Sequence, residues 1–250
     1  MTGYDWAFRI WILLLAGVVA SAQSSVLPPP PAPPPPPQWA RTLNFGFTLT
    51  HGNSDTLLLA LGIRGERKDP RSELTLGADT AYGENDGDKN NERSRGFAQY
   101  NRLFRDRAHA YLRADALHDG IADVKYRFTL GPGAGYHLIK ATNTTLRVEG
   151  GPSFVLEKKG GDQSSFATLR VSERFDHKLN SRARFWQSAE VLPQLDDLES
   201  FVVNAEIGVE SALTKSWTLR IALQDTYDNR PARGREENDL KVITGLTWRF

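Results

Sequence analysis

From Trp39 to the last residue the chain repeats one rhythm: apolar and polar residues alternate with period two, and no window of comparable length shows helical spacing. Leu43, Phe45, Phe47 and Leu49 alternate with Asn44, Gly46, Thr48 and Thr50 without a fault. The pattern returns at Leu74, Leu76, Ala78 and Tyr82, at Ala108 to Ala116, at Val124 to Leu130, and at Leu146, Val148, Phe154 and Leu156. It persists at Ala167, Leu169, Val171 and Phe175, at Phe201 to Val209, at Trp217 to Leu223, and from Leu240 to Phe250. Weaker segments near 55–66, 92–104 and 182–192 bring the expected total to about 12 antiparallel strands, at the ~10 tilted residues each that a membrane barrel needs.

Alternation alone also fits a soluble β-sandwich, and the polar columns decide against it. Opposite the apolar columns stand Arg113 and Asp115, Lys125 and Arg127, Arg147 and Glu149, Arg170 and Arg174, Glu206 and Glu210, and Arg220. Burying such ions in a sandwich core costs several kcal/mol for each one that lacks a partner. In a closed barrel whose apolar face meets lipid, the same residues line a wet lumen and pair across strands. The expected fold is therefore all-β: an antiparallel up-and-down transmembrane β-barrel over residues 39–250, with those eleven charges as a lumen network.

Connection lengths support the same reading. Lys68 to Arg71, Arg105 to Arg107, His177 to Asn180 and Thr214 to Ser216 are tight; Gly83 to Asn91, Glu157 to Ser165, Pro193 to Glu199 and Asn229 to Asn238 read as long polar loops. The hairpin at His51 to Ser54 is short on the side where long loops are expected. Trp39, Tyr82, Tyr100, Tyr111, Tyr126, Tyr136, Trp186, Trp217 and Trp248 fall mostly near strand ends, the place of aromatic girdles at the lipid headgroup level.

The leader has two parts. Arg9 precedes the apolar run Ile10 to Ala20, which closes on Ala20-Ser21-Ala22, the small residues a signal peptidase reads. Eleven apolar residues make ~17 Å of helix against a ~30 Å hydrocarbon core, so 1–22 is expected to be a cleaved signal peptide delivering the chain to the periplasm and the bacterial outer membrane. Residues 28–37 hold nine of the fourteen prolines and form a polyproline II spacer within a periplasmic linker, 23–38, which could also dock a periplasmic partner.

Composition removes several classes. With 31 basic and 30 acidic residues there is no basic excess for nucleic acid, and without cysteine there are neither disulfides nor thiolate sites. No cofactor pattern emerges. Gly131, Gly133 and Gly135 lack the helix and lysine of a phosphate loop; as one strand face they make room for bulky neighbours or for curvature. Pro132 and Pro152 lie mid-strand and outward, where local bulges are expected. The segment Gly83 to Glu92 is acidic but out of register for a calcium loop, leaving weak divalent binding as a secondary reading. The histidines at 51, 109, 118, 137 and 177 have no metal-ligand spacing. A lipid-modifying barrel enzyme needs Ser and His on the outer wall; Ser188 and His109 can be nominated, but no spacing pairs them.

Three stretches carry a resemblance: Gly52-Asn53-Ser54-Asp55-Thr56, Leu130-Gly131-Pro132-Gly133-Ala134-Gly135-Tyr136, and Tyr227-Asp228-Asn229-Arg230-Pro231 through Asp239, Lys241 and Thr244-Gly245-Leu246 to Phe250. In this order and spacing the chain resembles the YdiY-like family of salt-induced outer-membrane proteins, domain of unknown function 481. The resemblance implies an outer-membrane barrel and no established activity. The aromatic end at Trp248 and Phe250 is similar to the signal by which the barrel assembly machinery recognises its clients. The expected function is a non-enzymatic barrel with an envelope role or a small restricted pore, surrounded by outer-membrane lipid and lipopolysaccharide.

Overall fold

The computed structural model describes residues 39–50 and 56–250. The signal peptide, the proline-rich linker and the His51 to Ser54 hairpin lie outside the described residues. Twelve strands follow one another: β1 (Trp39–Thr50), β2 (Thr56–Asp69), β3 (Ser72–Asn85), β4 (Asp88–Leu103), β5 (Ala108–Asp119), β6 (Val124–Lys140), β7 (Thr144–Lys159), β8 (Asp162–Lys178), β9 (Ala183–Pro193), β10 (Phe201–Ala212), β11 (Trp217–Asp228) and β12 (Asn238–Arg249). Each pairs antiparallel with its sequence neighbours, and β12 closes the ring on β1 through Thr42 opposite Arg249 to Gly46 opposite Gly245. Closure leaves no edge strand: each strand has a hydrogen-bonded neighbour on both sides.

Register turns the two-residue rhythm into two surfaces. Outward stand Phe47 (61% exposed), Phe128, Leu130, Phe154, Leu240 and Val242, all more than half exposed. Inward, Glu149 is 6% exposed and Arg170 7%. A soluble protein has the opposite arrangement, because exposing apolar surface to water costs ~25 cal/mol per Å². Only lipid on the outside makes this wall favourable.

The connections depart from expectation at two places. Gly83 to Asn91 and Glu157 to Ser165 are not long loops: strands β3/β4 and β7/β8 continue to two-residue turns at Asp86-Gly87 and Gly160-Gly161. All four turn residues have positive φ (52° and 84°; 60° and 88°), the type I′ geometry that follows the twist of a hairpin. The Asp-Gly and Gly-Gly pairs carried that signal, and polarity misled. The acidic segment is thus a hairpin whose carboxylates spread along two strands. Tyr82 donates to Glu84, and Lys89 pairs with Glu92 at 3.0 Å. Among the described residues no group of three or more His, Asp or Glu converges to hold a metal ion.

The glycine column does make room. A Cβ at Gly135 would lie 2.3 Å from the His109 ring, one at Gly133 2.3 Å from Tyr111, and one at Gly131 2.2 Å from the Ser153 hydroxyl. The prolines, however, make no bulge. Residues 132 and 152 share one register position of the β6/β7 ladder, whose pairing lapses between Leu130/Phe154 and Ala134/Gly150 with the register unchanged. Two opposed prolines have no N–H to exchange, so both hydrogen bonds of that position are missing while the strands stay aligned. The bulges fall elsewhere, between Gly83/Glu84, Leu117/Asp119, Val124/Tyr126 and His137/Ile139.

Candidate functional site: the charged lumen

The lumen is built from the polar parity of all twelve strands, and ten of the eleven charges expected there make ion pairs inside it. Arg113 grips Asp115 through Nε (2.6 Å) and Nη2 (2.7 Å), and Arg95 reaches the same carboxylate at 2.7 Å. Arg127 pairs with Glu157 (2.6 Å), Arg174 with Asp176 (2.9 Å), Glu206 with Arg220 (2.9 Å) and Glu210 with Arg184 (2.9 Å). Arg147 and Arg170 both pair with Glu149, at 3.2 and 3.0 Å. Lys125 is the correction. It sits in the bulge between Val124 and Tyr126, is exposed, and takes part in none of these pairs, because the extra residue of a bulge breaks the parity that would have turned it inward.

Glu149 is the densest node. Its carboxylate accepts from Gln99 Nε2 (3.1 Å) and Arg170 Nη1 (3.0 Å), and faces Arg147 Nε and His109 Nε2, each at 3.2 Å. Arg170 continues to Glu190 at 2.5 Å and lies 5.4 Å above the Tyr111 ring. Gln99 passes the network to Asn101 (2.9 Å) and to Arg113 (2.9 Å). A second node is Glu206, which accepts from Trp186 Nε1 (2.5 Å), Arg220 (2.9 Å) and Gln224 (2.6 Å). The Trp186 indole is 1% exposed and lies over Gly208, where a Cβ would approach it to 2.2 Å.

Several of these contacts bridge strands that are not neighbours. Gln99 on β4 meets Glu149 on β7, three strands along the ring. At the end opposite the barrel termini, Arg93 on β4 donates to Thr226 Oγ1 on β11 at 3.3 Å, five strands along the shorter arc. Lys159 on β7 meets Asp228 on β11 at 2.8 Å and also donates to the carbonyl of Arg230. Arg127 lies 3.9 Å from the same Asp228. The β11/β12 connection (229–237) follows over this mouth: Ala232 is buried beside Gly160, and Arg230 pairs with Asp197 of the β9/β10 connection.

Parity also corrects the girdle and the enzyme nominations. Tyr111 and Trp186 face the lumen, buried, whereas Tyr82, Tyr100, Tyr136, Trp217 and Trp248 are exposed on the outer wall. Trp217 and Trp248 stack at 6.1 Å, and Trp248 and Phe250 at 4.7 Å. His109 and Ser188 both have inward parity, four strands apart, so they do not form a catalytic pair on the outer wall. Sequence spacing missed the approach of His109 to His137 (ring centroids 5.8 Å), which the pairing of β5 with β6 creates.

A search of curated proteins gives no match. Among solved structures the chain is similar to the NanC porin, with 9% identity over 84% of this chain and 100% of that one, at a TM-score of 0.55. It also matches the KdgM porin (8% identity, 85% and 99% covered, TM-score 0.47). A third match is the translocator domain of the autotransporter NalP from Neisseria meningitidis (14%, 85% and 87%, 0.46). At such identities the likeness is one of fold: a closed antiparallel barrel of the outer-membrane kind. The model of one family, described as protein of unknown function DUF481, matches residues 43–250, and the chain belongs to that family.

Proposed function

We propose that this chain is a non-enzymatic barrel of the bacterial outer membrane, serving the envelope as a wall whose lumen is closed by its own side chains or opens only as a narrow pore. The carrying observation is the set of lumen contacts between non-neighbouring strands, Gln99 to Glu149, Arg93 to Thr226 and Lys159 to Asp228. A diffusion pore needs a column of water along its axis, whereas here charged groups of both signs meet across it and neutralise one another. Twelve strands enclose a lumen between the filled interior of eight-stranded barrels and the aqueous channel of sixteen-stranded ones.

The apolar belt, the aromatic residues at its borders and the likeness to outer-membrane barrels support that location, with the barrel termini and tight turns toward the periplasm. Lipid and lipopolysaccharide then surround the wall, and the barrel assembly machinery is the partner that would read Trp248 and Phe250.

Planar-bilayer recording tests the proposal. The expected record shows no sustained conductance, or brief small steps; a large, steady open current would refute it. Asp228→Asn, which weakens the hold of Lys159 and Arg127 on the β11 end, is expected to lengthen openings.

A further inference from the structure

The apolar rule of the lipid-facing wall is broken by Thr80 and Ser94 on β3/β4, by Asp225 on β11, and by a hydrogen-bonded pair on β8 and β9. On β8, the outward residues run Leu169, Val171, Glu173, Phe175, and on β9 Phe185, Gln187, Ala189, Val191. Glu173 stands opposite Val148 and Ala189, and Gln187 opposite Phe175 and Ile207, so both point away from the lumen and are ringed by apolar side chains. Gln187 Nε2 donates to Glu173 Oε1. That single bond leaves a second amide hydrogen and a second carboxylate oxygen facing hydrocarbon, where polar groups are costly and mark function by default.

We infer that this patch is where a second copy of the chain docks, in a two-fold dimer whose axis runs along the membrane normal. The geometry is self-complementary. Glu173 and Gln187 form a diagonal pair across two strands, and a strand tilt of ~40° brings such a diagonal to nearly one depth in the membrane. A two-fold axis between them sets the amide of one copy opposite the carboxylate of the other, twice. The unused donor of each Gln187 meets the unused oxygen of each Glu173, and neither copy needs a cation from outside. Ala189, beside Glu173 in the ladder, and Ala205, next along the same row, are small enough to let two walls approach, as small residues do at interfaces within membranes.

The test uses the full chain in lipid nanodiscs and in planar bilayers, counting copies by native mass spectrometry and single-molecule photobleaching. The wild type is expected as a dimer. Glu173→Leu with Gln187→Leu removes two cross-copy bonds, each worth about threefold, and is expected to weaken association by about tenfold. Glu173→Gln, which can still exchange amide hydrogen bonds, is expected to retain the dimer. Folding of each variant is read from the heat-dependent shift in gel mobility of closed barrels. A wild type that stays monomeric, or a folded double-leucine variant as dimeric as the wild type, overturns the inference. So does a double-leucine variant that is more stable with its copy number unchanged, since that is the behaviour of a patch facing only lipid.

Discussion

Replacing Glu149 by Gln separates a closed lumen from a wet one, because the two give different energies for the same substitution. Gln has the shape of Glu but sets an amide NH2 where an oxygen stood. Glu149 is 6% exposed and is approached by Arg170 at 3.0 Å, Arg147 at 3.2 Å and Gln99 at 3.1 Å, so the substitution aims a donor at donors and leaves two guanidinium ions without their shared counter-ion. In an interior from which water is excluded, breaking such a pair costs about 3 to 5 kcal/mol. Arg170 keeps Glu190 at 2.5 Å, which places the expected loss near the lower end, about 3 kcal/mol. In a water-filled channel each contact is worth ~1 kcal/mol or less, and salt screens it. Equilibrium unfolding in urea, from lipid vesicles into which the barrel refolds reversibly, reads the difference. Glu210→Gln is the internal control: its partner Arg184 is 37% exposed, and the expected loss stays below about 1 kcal/mol. If Glu149→Gln also costs less than about 1 kcal/mol, the reasoning that the lumen is closed at this level fails.

Other consequences follow from the packing inside the wall. A Cβ at Gly77 would lie 2.3 Å from the Phe97 ring, whose atoms are its nearest neighbours, so Gly77→Ala is expected to cost about 1 to 3 kcal/mol in the same unfolding measurement. Phe97→Leu in that background is expected to recover part of the loss, and equal stability of Gly77→Ala and wild type would show that the ring does not rest on Gly77. Pro132→Val with Pro152→Val restores the two missing donors of the β6/β7 ladder and is expected to raise stability by about 1 kcal/mol per bond; a loss would mean that the interruption is accommodated by the wall rather than tolerated.

The sequence made the wall legible because one face of every strand meets lipid and tolerates no slip of one residue. The pairing of β1 with β12 that a closed barrel requires appears with Phe45 opposite Leu246. Parity failed at Lys125, where a bulge adds a residue that periodicity cannot count. Tyr111 and Trp186 are among the aromatic residues that suggest girdles near strand ends, but Leu112 and Phe185 beside them take the outward parity. Which charges pair was not legible at all. Contacts such as Lys159 to Asp228 depend on strand tilt and on which arc of the ring folds across the lumen, and neither is written in local spacing.

The absence of cysteine from the sequence permits the most direct test of the central claim, that the apolar parity faces lipid and the charged parity faces the lumen. Single cysteines placed in turn at Leu219, Arg220, Ile221, Ala222, Leu223 and Gln224 of β11 and spin-labelled in bilayers report collision rates with oxygen, which concentrates in lipid, and with a water-soluble nickel chelate. The expected result is high oxygen accessibility at Leu219, Ile221 and Leu223, alternating with protection from oxygen at Arg220, Ala222 and Gln224. Protection at Leu219, Ile221 and Leu223 together with free access of the chelate to Arg220, Ala222 and Gln224 would place the apolar face against protein, and the barrel account would be wrong.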